Sequence, residues 1–138
     1  MAKGYLEKRL KDLGKSDIEA LSAGIAPLDG MRATEEARQI IIEEGGDISG
    51  HYAKKIIESG IREADLIFVM ERVHRQYVLG KSPKAVNKTY LLKDFQKIGN
   101  FSLSNAPDIR DPIGKDINFY KEVFSTIKNS VERILKEL

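Results

Sequence analysis

The chain has 138 residues, 41% hydrophobic and 32% charged, with 23 Lys and Arg against 21 Asp and Glu for a formal net charge of +2. That length suits one domain over residues 1–138 with a real core. The interspersed charge lacks the basic stripe that a nucleic-acid partner requires, so no nucleic acid is expected. There is no cysteine, which excludes disulfides, thiolate catalysis and Cys-ligated metals within the chain. No run approaches the ~18 apolar residues of a membrane span, and no secretory apolar region opens the chain. A cytoplasmic protein without membrane contact is therefore expected.

Leu6, Leu10 and Leu13 recur at helical spacing, and Gly14 stands where a glycine stops a helix. Asp17 to Ala23 reads as a short strand that turns at Gly24, followed by a loop from Ile25 to Arg32 holding Pro27, Asp29 and Gly30. Thr34 is placed to cap a helix whose first turn carries Glu35 and Glu36 and whose buried face is Ala37, Ile40 and Ile41, with Gly45-Gly46 ending it. Ala53 to Gly60 reads as a short helix. Ala64 to Met70 is the clearest buried strand, its apolar run too continuous for a one-sided sheet. A helix from about Glu71 to Gly80, a loop at Pro83 and a second strand over Lys88 to Leu92 come next. Residues 96 to 110 read as a long loop of the kind that carries function. Asp116 to about Leu135 is the last helix, with Phe119, Val123, Ile127, Val131 and Ile134 on one face.

Strands alternating with helices predict an α/β domain, a parallel sheet flanked by helices. Ligands in such folds bind beyond the C-terminal ends of the strands. Asp111 is the side chain to single out: in Asp111-Pro112-Ile113-Gly114 the proline constrains its own φ and biases Asp111 away from helix, which holds a carboxylate in a rigid turn. An aspartate before proline is also ordinary turn or capping chemistry. Asp108 competes for any acid role, and Asp116 reads as the cap of the last helix. Gly80-Lys81-Ser82 imitates the end of a nucleotide-binding loop, but Arg75 stands where a glycine is needed. Asn87-Lys88-Thr89 and Asn100-Phe101-Ser102 fit glycosylation acceptors without a secretory signal. His51 and His74 share no spacing that makes a metal site.

The helix opening at Met1-Ala2-Lys3-Gly4-Tyr5-Leu6, then Leu21-Ser22-Ala23-Gly24, Asp65-Leu66-Ile67-Phe68-Val69-Met70 and Asp108-Ile109-Arg110-Asp111-Pro112-Ile113-Gly114, taken in that order, resemble the low-molecular-weight protein-tyrosine phosphatases. That family also includes phosphoarginine phosphatases and arsenate reductases, and the resemblance covers essentially the whole chain. It implies a phosphorylated protein or small phosphomonoester as partner, hydrolysed through a cysteinyl-phosphate, with no cofactor. It makes Asp111 the general acid toward the leaving group and then the base toward water. Ser22 and His51 match positions that buttress the phosphate-binding loop; a turn serine and a structural histidine are the plainer readings. The loop Ala26 to Arg32 corresponds to one that flanks substrate, where Asp29 and Arg32 also read as a solvated turn. Ile113 stands where tyrosine phosphatases of this kind often place an aromatic residue, and resembles the bacterial branch that includes phosphoarginine phosphatases.

In the family a central first strand and a Cys-x-x-x-x-x-Arg-Ser-Pro loop precede a helix that begins like Met1-Ala2-Lys3. The chain is expected to start just after that loop, lacking nucleophile and arginine and inactive by itself, although the helix dipole and the α-amino charge still attract an anion. A fragment of an enzyme is the better account; the other class is a non-catalytic binding or regulatory pseudo-phosphatase. In-frame codons upstream of Met1 for the strand and loop would settle on the fragment. Losing a central strand orphans backbone groups at about 1–3 kcal/mol each, against a total of roughly 5–15 kcal/mol. The strand near Ile18–Ser22 is therefore expected to close against Ala64–Met70, or a second copy to fill the gap by pairing or strand exchange.

Overall fold

The computed structural model describes residues 1–100 and 108–138. Two strands, β1 (Ile67–Val69) and β2 (Thr89–Leu91), pair in parallel with Ile67 opposite Thr89, Phe68 opposite Tyr90 and Val69 opposite Leu91. Both faces of this short sheet are covered. Phe68 and Tyr90 turn toward the larger core together with Leu66, Met70, Leu92 and Phe95, while Ile67, Val69 and Leu91 turn toward a smaller cluster of Ile61, Val78 and Ala85. Double-sided burial is the reason the segment reads as a continuous apolar run. On the larger side Phe95 packs edge-on against Phe68 at 5.0 Å and Tyr90 at 5.2 Å between ring centres, a geometry that sets a positive ring edge on a negative face.

The larger core is closed by α1 (Ala2–Asp12), α2 (Glu35–Glu43) and α5 (Ile117–Leu135). The smaller cluster is closed by α3 (Glu58–Glu63), α4 (Arg72–Lys81) and a 3₁₀ turn over Pro83–Lys88. Lys88 ties this side to the sheet: its ammonium donates to the Arg62 carbonyl at 2.8 Å and to the Ala64 carbonyl, at the C-terminal end of α3. That end carries unsatisfied carbonyls and a partial negative charge.

Local signals set the ends of the long helices. After α1, Gly14 takes φ 67°, its N–H reaches the Lys11 carbonyl at 3.1 Å and that of Lys15 reaches Leu10 at 2.9 Å. These are the paired bonds of a Schellman ending, which needs the left-handed backbone that glycine adopts without strain. Thr34 Oγ1 accepts from the Ala37 N–H at 3.3 Å at the start of α2, and Asp116 Oδ1 accepts from the Phe119 N–H at 2.9 Å at the start of α5.

Four expectations change. Asp17–Ala23 is not a strand of the described sheet, whose order is β1-β2. A strand exists only through a neighbour that takes its backbone hydrogen bonds, and this stretch meets solvent instead, with Leu21 77% exposed. For the same reason Ile18–Ser22 does not close up against β1; Ile18 and Ala20 only lean on the larger core. The helix expected over Ala53–Gly60 begins at Glu58, because the residues before it are drawn out by pairing: Arg32 bridges antiparallel to Tyr52 and Gly24 parallel to Lys55. Phe119 is only partly buried, and Tyr120 takes the place in the core expected of it. The long loop over 96 to 110 and the Asn100-Phe101-Ser102 site fall in part on 101–107, outside the described residues.

Asp116→Ala removes the cap of the helix that contributes more of the core than any other. It is expected to lower stability by about 1 kcal/mol, read from the urea midpoint at neutral pH. An unchanged midpoint would contradict the capping role.

Candidate active site

The Asp-Pro turn lies past the C-terminal end of β1. Met70, the residue after β1, gives its carbonyl to the Ile109 N–H at 3.0 Å. Ile109 itself is buried in the larger core, against which Met1 and Ala2 at the start of α1 also pack. Asp111 is exposed, and its Oδ1 accepts from the Ile113 N–H at 3.0 Å, closing an Asx turn around Pro112. Ile113 stands out at 59% exposure. A shallow depression lined by Lys115, Asp116, Asn118, Phe119 and Glu122 opens at the start of α5.

The competitor Asp108 is placed differently. Its Oδ1 accepts from the Arg72 backbone N–H at 3.1 Å and from Arg72 Nη1 at 3.2 Å, so this carboxylate serves the start of α4. Asp116 is likewise committed to its helix. Of the three aspartates between 108 and 116, Asp111 is the one that, among the described residues, bonds only to its own turn.

A second group of predicted residues gathers elsewhere. The loop after Gly24 is laced to the segment His51–Ile56: Gly24 N–H to Lys54 O at 2.9 Å, Gly30 N–H to Ala53 O at 3.1 Å, Ala53 N–H to Met31 O at 2.8 Å and Ile56 N–H to Gly24 O at 2.9 Å. This brings Asp29 and His51 onto neighbouring strips of backbone, with Ser22 just ahead of the lacing and exposed, as is Asp29. Arg32 lies over the Tyr52 ring at 5.5 Å and donates from Nη2 to its hydroxyl at 3.1 Å, a cation–π pair. Sequence reasoning missed Tyr52 and Arg72. Neither sits in a motif, and each acquires its partner from a distant stretch of chain.

His51 is half-buried, and its pKa is held below the ordinary 6.5 by burial first, then by the positive charges of Lys3, the Met1 amine and Lys54, with Glu7 opposing. The neutral imidazole therefore prevails near α1's first turn at neutral pH. Burial also lowers the pKa of the Met1 α-amino group, which weakens the positive charge expected to draw an anion there.

Because the unfolded chain takes up a proton on His51 before the folded one does, its contribution to stability is full above about pH 6.5 and is lost as pH falls through the lower folded value. His51→Gln is expected to flatten that slope, measured as the difference in urea stability between about pH 7.5 and about pH 5. An equally steep difference in the variant would contradict this assignment.

Comparison with known proteins converges on one group. A family model described as low molecular weight phosphotyrosine protein phosphatase matches residues 1–138. The probable low molecular weight protein-tyrosine-phosphatase EpsP of Ralstonia nicotianae is 28% identical over 115 residues, 83% of this chain and 73% of its own. A protein-arginine-phosphatase of Geobacillus stearothermophilus is 25% identical over 121 residues, 88% of this chain and 77% of its own. The crystal structure of the low molecular weight protein tyrosine phosphatase from T. tengcongensis superposes with a TM-score of 0.86 at 30% identity, covering 99% of this chain and 88% of that one. Vibrio vulnificus Wzb in complex with benzylphosphonate superposes at 0.82 and 26% identity, with the same coverage. With the family model spanning all of its residues and its α/β fold matching that of solved members, the chain belongs to the low molecular weight phosphotyrosine protein phosphatase family.

Proposed function

We propose that this chain carries the acid–base half of a phosphomonoester hydrolase, and that its 138 residues do not turn substrate over alone. Family membership supports the reaction class, and the observation that carries the division of labour is chemical: the chain has no cysteine but presents Asp111 in a rigid, exposed turn past the end of β1. In the reaction of the family, a cysteine thiolate attacks phosphorus and the phosphorus–oxygen bond to the leaving group breaks. Asp111 gives its proton to the departing oxygen. The Asp111 carboxylate next takes a proton from water, whose oxygen attacks phosphorus, and the phosphorus–sulfur bond breaks to release phosphate and the thiolate. An acid contributes about 10²–10⁴-fold, which cannot replace the nucleophile it assists.

Ser22 and His51 fit a supporting role for a phosphate-binding loop, and Asp29 a flank of the substrate, on the strength of their positions in the family. Ile113 favours a second reading of the substrate. An exposed aliphatic residue beside Asp111 offers no ring to stack on phosphotyrosine, and a protein-arginine-phosphatase is among the relatives, so phosphoarginine is the alternative to phosphotyrosine.

The test is hydrolysis of p-nitrophenyl phosphate by the 138-residue chain and by a version extended upstream with a strand and a Cys-x-x-x-x-x-Arg-Ser-Pro loop. Turnover is expected only in the extended form, and Asp111→Asn in that form should cut kcat by about 10²–10⁴-fold. Turnover by the 138-residue chain would overturn the proposal.

A further inference from the structure

The geometry points to Asp108 as a positioning residue that, through Arg72, holds the Asp-Pro turn and its Asp111 in place beyond the end of β1. This rests on the reading of Asp111 as the acid. The first four N–H groups of a helix have no acceptor within it, and the partial positive charge there favours a carboxylate. In α4 the side chain of the preceding residue, Glu71, makes no capping bond among the described residues. The acceptor comes instead from Asp108, 36 positions along the chain, at 3.1 Å from the Arg72 N–H, with the Arg72 guanidinium closing on the same oxygen at 3.2 Å. The next residue is fixed as well. Its N–H is bonded to Met70 O at 3.0 Å and its side chain is 5% exposed in the core.

Two successive residues are thus anchored, one to the start of α4 and one to the end of β1, three and two positions ahead of Asp111. On the far side Pro112 and the bond from the Ile113 N–H to Asp111 Oδ1 stiffen the turn. The backbone leading to the acid is defined from both directions. The ion pair is itself partly exposed, at 43% for Arg72 and 30% for Asp108, so it adds little to global stability. Its effect is on where the turn sits.

Positioning and plain structural support are separable through the leaving group. Protonation matters in proportion to the basicity of the departing oxygen, so an ill-placed acid harms phenyl phosphate and spares 2,4-dinitrophenyl phosphate. In the chain extended with the cysteine loop, Asp108→Ala and Arg72→Ala are expected to lower kcat on phenyl phosphate by about ten- to a hundredfold and on the dinitrophenyl ester by no more than about twofold. Asp108→Asn, which keeps an oxygen for the Arg72 N–H, should recover part of the loss. Asp111→Asn serves as the reference. If it shows the selective loss and the Asp108 and Arg72 variants show none, or lose both substrates equally, the inference is overturned while the acid reading stands.

If Asp111→Asn is itself unselective, the acid reading fails, and amide exchange in the 138-residue chain judges the tether. Asp108→Ala and Arg72→Ala should then speed exchange at Ile109 and Ile113 and leave the capped amides of Ala37 and Phe119 unchanged. Unchanged exchange at Ile109 and Ile113 overturns the inference.

Discussion

The apolar face of α5 is the constraint on which the rest of the molecule depends. Tyr120, Val123, Phe124, Ile127, Val131 and Ile134 form its buried stripe, and both α1 and α2 pack on it. Polar contacts along the rim of that stripe set the register of each neighbour. Glu132 accepts from Tyr5 Oη and Arg9 Nε, each at 2.7 Å, and Glu44 accepts from Lys128 Nζ at 2.8 Å. Arg133 reaches across to the carbonyls of Lys93 and Phe95 at 2.7 and 3.1 Å, fastening the segment after β2. Burial, followed by the bond to Glu132, pushes the Tyr5 phenol up to about 12, so it stays a donor across the physiological range. α5 begins at the Asp116 cap, directly after the Asp-Pro turn. The helix that organises the core therefore also fixes one side of the candidate site.

The sheet fixes the other side. With β1 and β2 covered on both faces, the end of β1 has a defined place; Ile109 is anchored on it and Asp108 on the start of α4. The turn that presents Asp111 is exposed, yet its approaches are not loose, as the acid role proposed for it requires. The loop from Gly24 to Arg32 is laced to His51–Ile56, where burial and the charges of Lys3 and the Met1 amine hold the His51 pKa down.

What was legible in the sequence follows the range of the interactions involved. Thr34, Gly14 and Asp116 act on groups within five residues of themselves, so the ends of α1, α2 and α5 were readable from residue type and spacing. The strand expected over Ala64–Met70 was readable because burial on both faces leaves a continuous apolar run, although the paired strand is only Ile67–Val69. Asp17–Ala23 carries the composition of a strand, but a strand is a property of two segments, and none of its own residues records whether a partner is present. The residues before Glu58 have helical spacing and are drawn out by Met31 and Gly24, again from a distant segment. At the site the Asp-Pro turn was legible as chemistry. The different bonding of Asp108 and Asp111 was not, because it is decided by an N–H on a helix 36 positions away.

The central claim is that this chain holds the acid of a phosphoryl-transfer site and no nucleophile for it. Intact-mass analysis after rapid acid quench tests that claim most directly, using a phosphomonoester with a good leaving group. The 138-residue chain is expected to stay unmodified, while the same chain joined to a cysteine-bearing phosphate loop gains one phosphoryl group on the cysteine, trapped longer when Asp111 is replaced by Asn. A phosphoryl adduct on the 138-residue chain, formed and discharged at a rate that depends on Asp111, would contradict the account.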